Sequence, residues 1–235
     1  MNTNKKLIVL IISLTYLASF SQNEIYGPYK NWEFGGIRLT FENQDSVTSR
    51  KTGSDSLLPY FRSYESTATV SDEEGNFLFY TNGRSVFNKD LDFIPGGNNT
   101  LKAGNEGGAL PMSSSVQGSM IVKHSESDLY YIFTVGDAIS GYADGIQYVS
   151  VDMSANNGVG QVSSSIKIGN NVSEALTAGL HSNGKDIWIV THLNTTEGLR
   201  IGAYLLTKDS VTTSPIISEV EGTLLSTVGN ETRCS

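Results

Sequence analysis

Three histidines are the residues in this sequence best suited to ligate a metal ion. His181 and His192 flank a turn and a strand-like run, and His124 is the only other histidine. Two histidines separated along one strand, with no convergent third ligand in the sequence, are more typical of hydrogen-bonded residues at strand ends than of a metal centre. The sequence therefore predicts no metal site.

Aspartates could supply the carboxylate pair that glycoside hydrolysis requires. Such pairs converge in space rather than in sequence, so the pattern neither selects nor excludes the five candidates Asp72, Asp137, Asp144, Asp152 and Asp186. We expect three of them to have structural roles, since Asp72 and Asp186 lie in turn-forming stretches and Asp152 follows a strand-like run. No Gly-x-Ser-x-Gly, phosphate-loop or dinucleotide-binding motif is present. The sequence predicts no catalytic residue, no cofactor and no enzymatic activity; a secreted enzyme acting on glycans or peptides is the alternative.

The chain has one cysteine, Cys234, close to its C-terminus. An intramolecular disulfide is therefore excluded, and the spacings of zinc-binding cysteines and histidines are absent. We expect a fold that depends on its hydrophobic core for stability.

The first 21 residues have the pattern of a secretory signal peptide. Lys5 and Lys6 precede an apolar run, and Ser19 and Ser21 are the small residues expected before a cleavage site. The run is short for a membrane anchor, which is the alternative. Cleavage near Ser21 would change the net charge from −8 to −10. An acidic, exported chain disfavours nucleic acid as a partner and predicts a secreted or outer-surface location without stable membrane insertion.

Residues 22–235 are predicted to form one all-β domain, because short runs rich in β-branched and aromatic residues alternate with turn-forming residues. Three hairpins recur at intervals of 53 and 56 residues. Their strands are predicted at 67–71 with 77–81, at 119–123 with 130–134, and at 177–181 with 187–191. Third strands are expected at 146–152 and 201–207, and fourth strands at 161–168 and 215–220.

A repeat of three or four antiparallel strands every 50 to 56 residues is typical of a β-propeller blade. The stretch SDEEGNFLFYTNG, residues 71–83, would then be an acidic turn at the solvent rim, followed by a blade strand covered on both faces. With residues 32–65 as part of another blade, the chain holds roughly four blades. We expect it to be incomplete at its C-terminus and a fragment of a longer protein. A closed four-bladed propeller and a β-sandwich are the alternatives.

The same segments resemble a known family, the N-terminal propeller-like region of large surface proteins exported by type IX secretion. Its members include gliding-motility-associated proteins and proteins with PKD-type repeats. The matching motifs follow one another in the family's order over most of residues 31–207: NWEFG at 31–35, ESTATVSDEEGNFLFYTNG at 65–83, VFN at 86–88, SSVQ at 114–117, YYIFTV at 130–135, YVSVDM at 148–153, LTAGLHSNGKDIWIVTH at 176–192 and AYLLT at 203–207.

The resemblance implies a non-enzymatic surface or secreted module with an adhesion, binding or scaffold role, and it carries over no catalytic residue. The expected partner is a surface glycan or a protein. Exposed tyrosines are common on surfaces that bind such ligands, and the candidates in loops or near strand ends are Tyr26, Tyr29, Tyr60, Tyr64 and Tyr142.

Overall fold

The computed structural model describes residues 27–43, 45–52, 65–103, 113–138, 141, 143–195 and 198–219. The predicted signal peptide, Cys234 and four of the five candidate tyrosines (Tyr26, Tyr60, Tyr64 and Tyr142) lie outside these ranges. The described chain is all-β, as the sequence predicts: its strands form four antiparallel sheets. Helical structure in the same ranges comprises a 3-10 turn at Gly27–Tyr29 and one short helical segment at Ala155–Gly158. No helix in the described ranges is long and apolar enough to cross a membrane.

The first two sheets each contain three strands in chain order. Sheet 1 comprises β1 (Asn31–Glu33), β2 (Ile37–Asn43) and β3 (Ser46–Lys51). Sheet 2 comprises β4 (Ala68–Ser71), β5 (Phe77–Thr81) and β6 (Val86–Asn88). A Gly-Gly pair closes the β1–β2 turn, where Gly35 and Gly36 have φ of 63° and 119°.

The other two sheets are larger. Sheet 3 comprises β7 (Ser119–Lys123), β8 (Leu129–Val135), β9 (Ile146–Asp152), β10 (Gln161–Val162) and β11 (Ile166–Gly169), and both β10 and β11 pair with β9. Sheet 4 comprises β12 (Val172–Leu180), β13 (Ile187–Thr195), β14 (Gly198–Leu206) and β15 (Ile216–Glu219) in that order.

Several predicted strands need correction. The strand predicted at 177–181 begins five residues earlier, at Val172, and His181 lies in the following turn. The single strand predicted at 161–168 is two strands, because Ser163 leaves the ladder and bonds Ser150 through both its amide and its hydroxyl. The first unit also has a third strand, β6, that the sequence did not indicate.

The apolar strand after the acidic turn is buried on both faces, as expected for an interior strand. Phe79, Tyr80 and Thr81 of β5 are fully buried, while Glu73 and Glu74 in the preceding turn are exposed. Phe79 packs edge-to-face on Tyr130 of sheet 3, with ring centroids 5.4 Å apart. A strand covered on two sides has no need of alternating polar residues.

Two apolar cores hold sheets 2, 3 and 4 together in series. The core between sheets 2 and 3 includes Phe79, Ile132 and Val149. The core between sheets 3 and 4 includes Phe133, Ile189 and Tyr204. At roughly 25 cal/mol per Å² of apolar area removed from water, these clusters are the main stabilising term for the stack of sheets.

Sheet 1 attaches to sheet 2 through polar groups instead. The amide of Glu33 donates to the Thr69 hydroxyl at 3.0 Å, and Asn31 Nδ2 donates to the Ser71 hydroxyl at 3.1 Å. The buried Glu33 carboxylate pairs with Arg38 at 3.0 Å, and the Arg38 guanidinium lies 3.5 Å above the Phe77 ring. Burial lowers the pKa of Arg38, while the Glu33 charge opposes that change.

The first strands of successive sheets are neighbours: β1 contacts β4, β4 contacts β7, and β7 contacts β12. Each of these strands is also the end strand of its own sheet. The four sheets therefore follow one another with these first strands, which we call the inner strands, side by side. That the sheets are blades of a propeller stays a prediction.

Candidate binding groove and exposed sheet faces

A groove of about 740 Å³ opens where the inner strands of sheets 2, 3 and 4 end. Three consecutive residues of each strand line it: 69–71 of β4, 121–123 of β7 and 178–180 of β12. Successive side chains of a strand point to opposite faces, so three consecutive lining residues bring part of each strand's backbone to the groove. Backbone groups therefore contribute to the groove wall.

The acidic turn forms one rim of the groove through Asp72, Glu73 and Glu74. Asp72 has a structural role, as the sequence predicts, because its carboxylate accepts bonds from the amide and the side chain of Asn76 at 2.7 and 2.9 Å. Burial raises the pKa of the nearby Tyr130, and the negative charges of Asp72 and Glu73 add to the increase. The negative potential of this turn therefore reaches into the groove.

Tyr29 and Leu180 flank the groove from sheets 1 and 4, and both are largely exposed, at 66% and 68%. The turn that carries Tyr29 rests directly on the acidic turn, since a Cβ at Gly27 would overlap the carbonyl of Glu73. Tyr29 is the one candidate tyrosine in the described ranges, and it lies at the groove. A cation is also present, because Lys123 Nζ lies 5.0 Å above the ring of Tyr130.

His124 and His181 have equivalent positions in successive hairpins, each directly after an inner strand. The Nδ1 atom of His124 accepts the amide of Glu126, and Nδ1 of His181 accepts the amide of Asn183, both at 3.1 Å. The proton of His124 therefore resides on Nε2, which donates to Asp186 at 3.1 Å. This bond joins the turns of sheets 3 and 4 and, as the first cause, lowers the pKa of Asp186.

Of the remaining sequence candidates, Asp137 and Asp144 lie on the two sides of the turn between β8 and β9, where the Gly136 amide donates to the Gly145 carbonyl. Asp152 ends β9 and accepts bonds from the Ser154 amide and hydroxyl, which lower its pKa. Asp137 is buried and accepts the Ser114 hydroxyl, and His192 lies within β13 opposite Ile201. Over the described ranges, no group of three or more histidine, cysteine or carboxylate side chains could hold a metal ion.

A second polar region, which the sequence did not indicate, lies at the opposite ends of the inner strands. The Glu174 carboxylate accepts the amides of Val116 and Ala138 at 3.0 and 2.6 Å. Four hydroxyls here are buried with no hydrogen-bond partner: those of Ser115, Ser119, Thr134 and Ser173. In the sequence, small hydroxyl residues at strand ends have the pattern of turn residues. Their burial results from tertiary packing, which the local sequence does not indicate.

The outer face of sheet 1 is apolar and exposed. It comprises Trp32, Phe34, Ile37, Phe41 and Val47; Trp32 is 47% exposed and Phe34 49% exposed. The Trp32 ring packs edge-on against Phe34 and Phe41, with centroids 6.2 and 5.1 Å away. A cluster of exposed apolar side chains on a sheet marks a site against which another protein surface packs.

The outer face of sheet 4 is also apolar, with half-buried side chains beside the exposed Ile216. Trp188 lies opposite Leu205, Val190 opposite Ala203, and Ala203 opposite Ile216, so these residues share one face. The alternate residues Ile189, Tyr204 and Leu206 are buried against sheet 3. The stack of sheets thus presents an apolar face at each end.

No protein-family model, curated protein or solved structure matches this chain.

Proposed function

We propose that this chain is a non-enzymatic binding module of the cell surface or the extracellular space, built from consecutive blades of a β-propeller. One observation carries the binding role: the groove where three sheets meet, with exposed Tyr29 and Leu180 on its rim. Its volume of about 740 Å³ lies within the range typical of ligand sites. The mixture of carboxylates, one lysine and apolar side chains suits recognition of a polar polymer.

The propeller is supported by the order of the sheets. Each sheet contains strands that are consecutive along the chain, and the first strands lie side by side. Blades of a propeller have this arrangement, in which each blade's first strand lies nearest the axis. Strand connectivity of this kind does not favour a β-sandwich, in which the chain crosses between two sheets.

The apolar outer faces of sheets 1 and 4 support the view that this chain is part of a longer surface protein. In a propeller, both faces of every blade are covered by neighbouring blades, so we propose that further sheets of the same protein cover these two faces. An antibody to the chain would then detect, in the surface and secreted fractions, a native protein far larger than 25.4 kDa. A band at or below that mass would contradict this part of the proposal.

The binding role is tested by applying the labelled full chain to a glycan array and a peptide array. We expect saturable binding to one class, and a variant carrying Tyr29→Ser and Leu180→Ser should bind about tenfold more weakly because both side chains are exposed at the groove. The matched control is Val159→Ser, an exposed apolar residue away from the groove.

Equal binding by the groove variant, or no binding to either array, would overturn the proposal. Chemical turnover of a bound glycan or peptide would replace it with the enzymatic alternative.

A further inference from the structure

The groove presents a strand edge that can pair with another backbone. β12 pairs with β13 along one side and is the end strand of its sheet. Its last residues, Ala178, Gly179 and Leu180, line the groove, so the other side of β12 faces the open space. An unpaired edge of this kind is a template for strand addition, in which main-chain hydrogen bonds supply affinity.

Gly179 leaves the backbone near the end of β12 exposed. Gly179 is exposed and the adjacent Leu180 is 68% exposed, so solvent reaches this end of the strand. Glycine inside a strand weakens the strand and often marks a place where another backbone approaches closely. Gly179 also has no positive φ that would require glycine for local geometry. An exposed backbone at a glycine is therefore what this end of β12 offers to a partner.

The charge of the groove selects the side chains of an added strand. Asp72, Glu73 and Glu74 line one rim, and only Lys123 offsets them among the groove-lining residues. Glu73 and Glu74 are exposed, so a ligand in the groove can reach both carboxylates. Apolar residues of the inner strands, Val70 and Ile121 among them, form the floor. A partner with alternating basic and apolar side chains complements both surfaces.

We infer that the groove binds an extended, lysine- or arginine-bearing peptide segment that adds as a strand to β12 at Ala178–Leu180. This inference rests on the proposed binding role and names its ligand class. The peptide backbone pairs with the edge of β12, its basic side chains face Glu73 and Glu74, and its apolar side chains rest on the groove floor.

The test measures binding of the full chain to a capped peptide of alternating valine and lysine by isothermal titration calorimetry. Two matched probes are a valine–glutamate peptide and the valine–lysine peptide with alternate backbone amides N-methylated. We expect binding of the first probe only, with at least about tenfold loss for each of the other two, and weaker binding at high salt.

Variants locate the site on the protein. Glu73→Gln with Glu74→Gln reduces the negative charge of the rim, and Leu180→Lys places a positive charge at the end of β12; each should weaken binding about tenfold. The controls are Asp209→Asn, an exposed acid outside the groove, and Thr177→Val, an exposed residue of β12 that does not line it. Circular dichroism before titration establishes that every variant is folded.

Equal binding of the N-methylated peptide, or equal binding by the Leu180→Lys variant, would overturn strand addition. Groove-dependent binding of a glycan without binding of the basic peptide would overturn this inference and leave the proposed binding role intact. Binding of neither ligand class would overturn both.

Discussion

A threonine recurs in the second strand of sheets 2, 3 and 4, and its environment differs each time. Thr81, Thr134 and Thr191 are all buried. Thr81 donates to the Ser85 carbonyl at 2.8 Å and Thr191 to the Ala175 carbonyl at 2.7 Å, whereas the Thr134 hydroxyl has no partner. The same residue type at the same position therefore contributes differently to stability.

Replacing Thr134 by valine should stabilise the protein by about 1 kcal/mol, because the change removes a buried hydroxyl that makes no hydrogen bond. Thr81→Val is the matched control, and it should destabilise the protein by about 1–2 kcal/mol, since it removes a bond to the Ser85 carbonyl and leaves the Gly83 amide without this acceptor. Urea unfolding of both variants measures the difference. If Thr134→Val destabilised the protein as much as Thr81→Val, this would contradict the view that the Thr134 hydroxyl is buried without a hydrogen-bond partner.

At the scale of elements, the polar turns between strands connect one sheet to the next. The Nε2 of the buried His124, after β7, donates to Asp186 in the turn before β13. Lys185 in the same turn pairs with Glu126 at 2.5 Å, although both side chains are exposed and such pairs contribute little. The His124–Asp186 bond is thus the main polar link between these turns.

This link predicts a pH dependence of stability. The folded-state pKa of Asp186 is lowered below its ordinary value of 3.8, so its stabilising contribution is present above about pH 4 and is lost as the pH falls through the folded-state pKa. The melting temperature of the wild type should exceed that of Asp186→Asn at pH 7, and the gap should narrow as the pH falls below about 4. Asp209→Asn serves as the control. A gap that is constant with pH would contradict the prediction.

The sequence predicted those strands best whose limits are marked by turn residues. β5, β7 and β9 begin and end where the sequence placed them, since asparagine or glycine flanks each one. It failed for β12, where polar Ser173 and Glu174 lie within the strand and resemble a turn. Their side chains are held by tertiary contacts, and local propensity carries no information about those.

The groove could not be predicted from the sequence, for a similar reason. Its residues come from separate hairpins, and residues such as Val70, Ile121 and Gly179 have no chemical signature that sets them apart from other strand residues. The acidic turn was visible in the sequence as a solvent-exposed turn, but its position beside β12 depends on how the sheets pack. Tyr29 was one of five equivalent tyrosines until the fold placed it at the rim.

At the scale of the whole molecule, the outer faces of sheets 1 and 4 should dominate the association behaviour of the isolated chain. Phe34→Lys with Ile216→Lys introduces one charge on each face, and both native side chains are largely exposed. We expect weaker concentration-dependent self-association in sedimentation velocity, with little change in unfolding free energy. Val159→Lys, which adds a charge elsewhere, is the control. Unchanged self-association of the double variant would show that these two faces do not drive association of the chain.

The chain-order arrangement of strands also bears on how this protein folds. Every sheet is built from strands that are consecutive in sequence, and contacts between sheets run from each one to the next. Each sheet can therefore form from a short local segment as the polypeptide emerges, before later segments are available. Stability should then resemble that of a linear array, with loss of structure starting at an end sheet and moving inward one interface at a time.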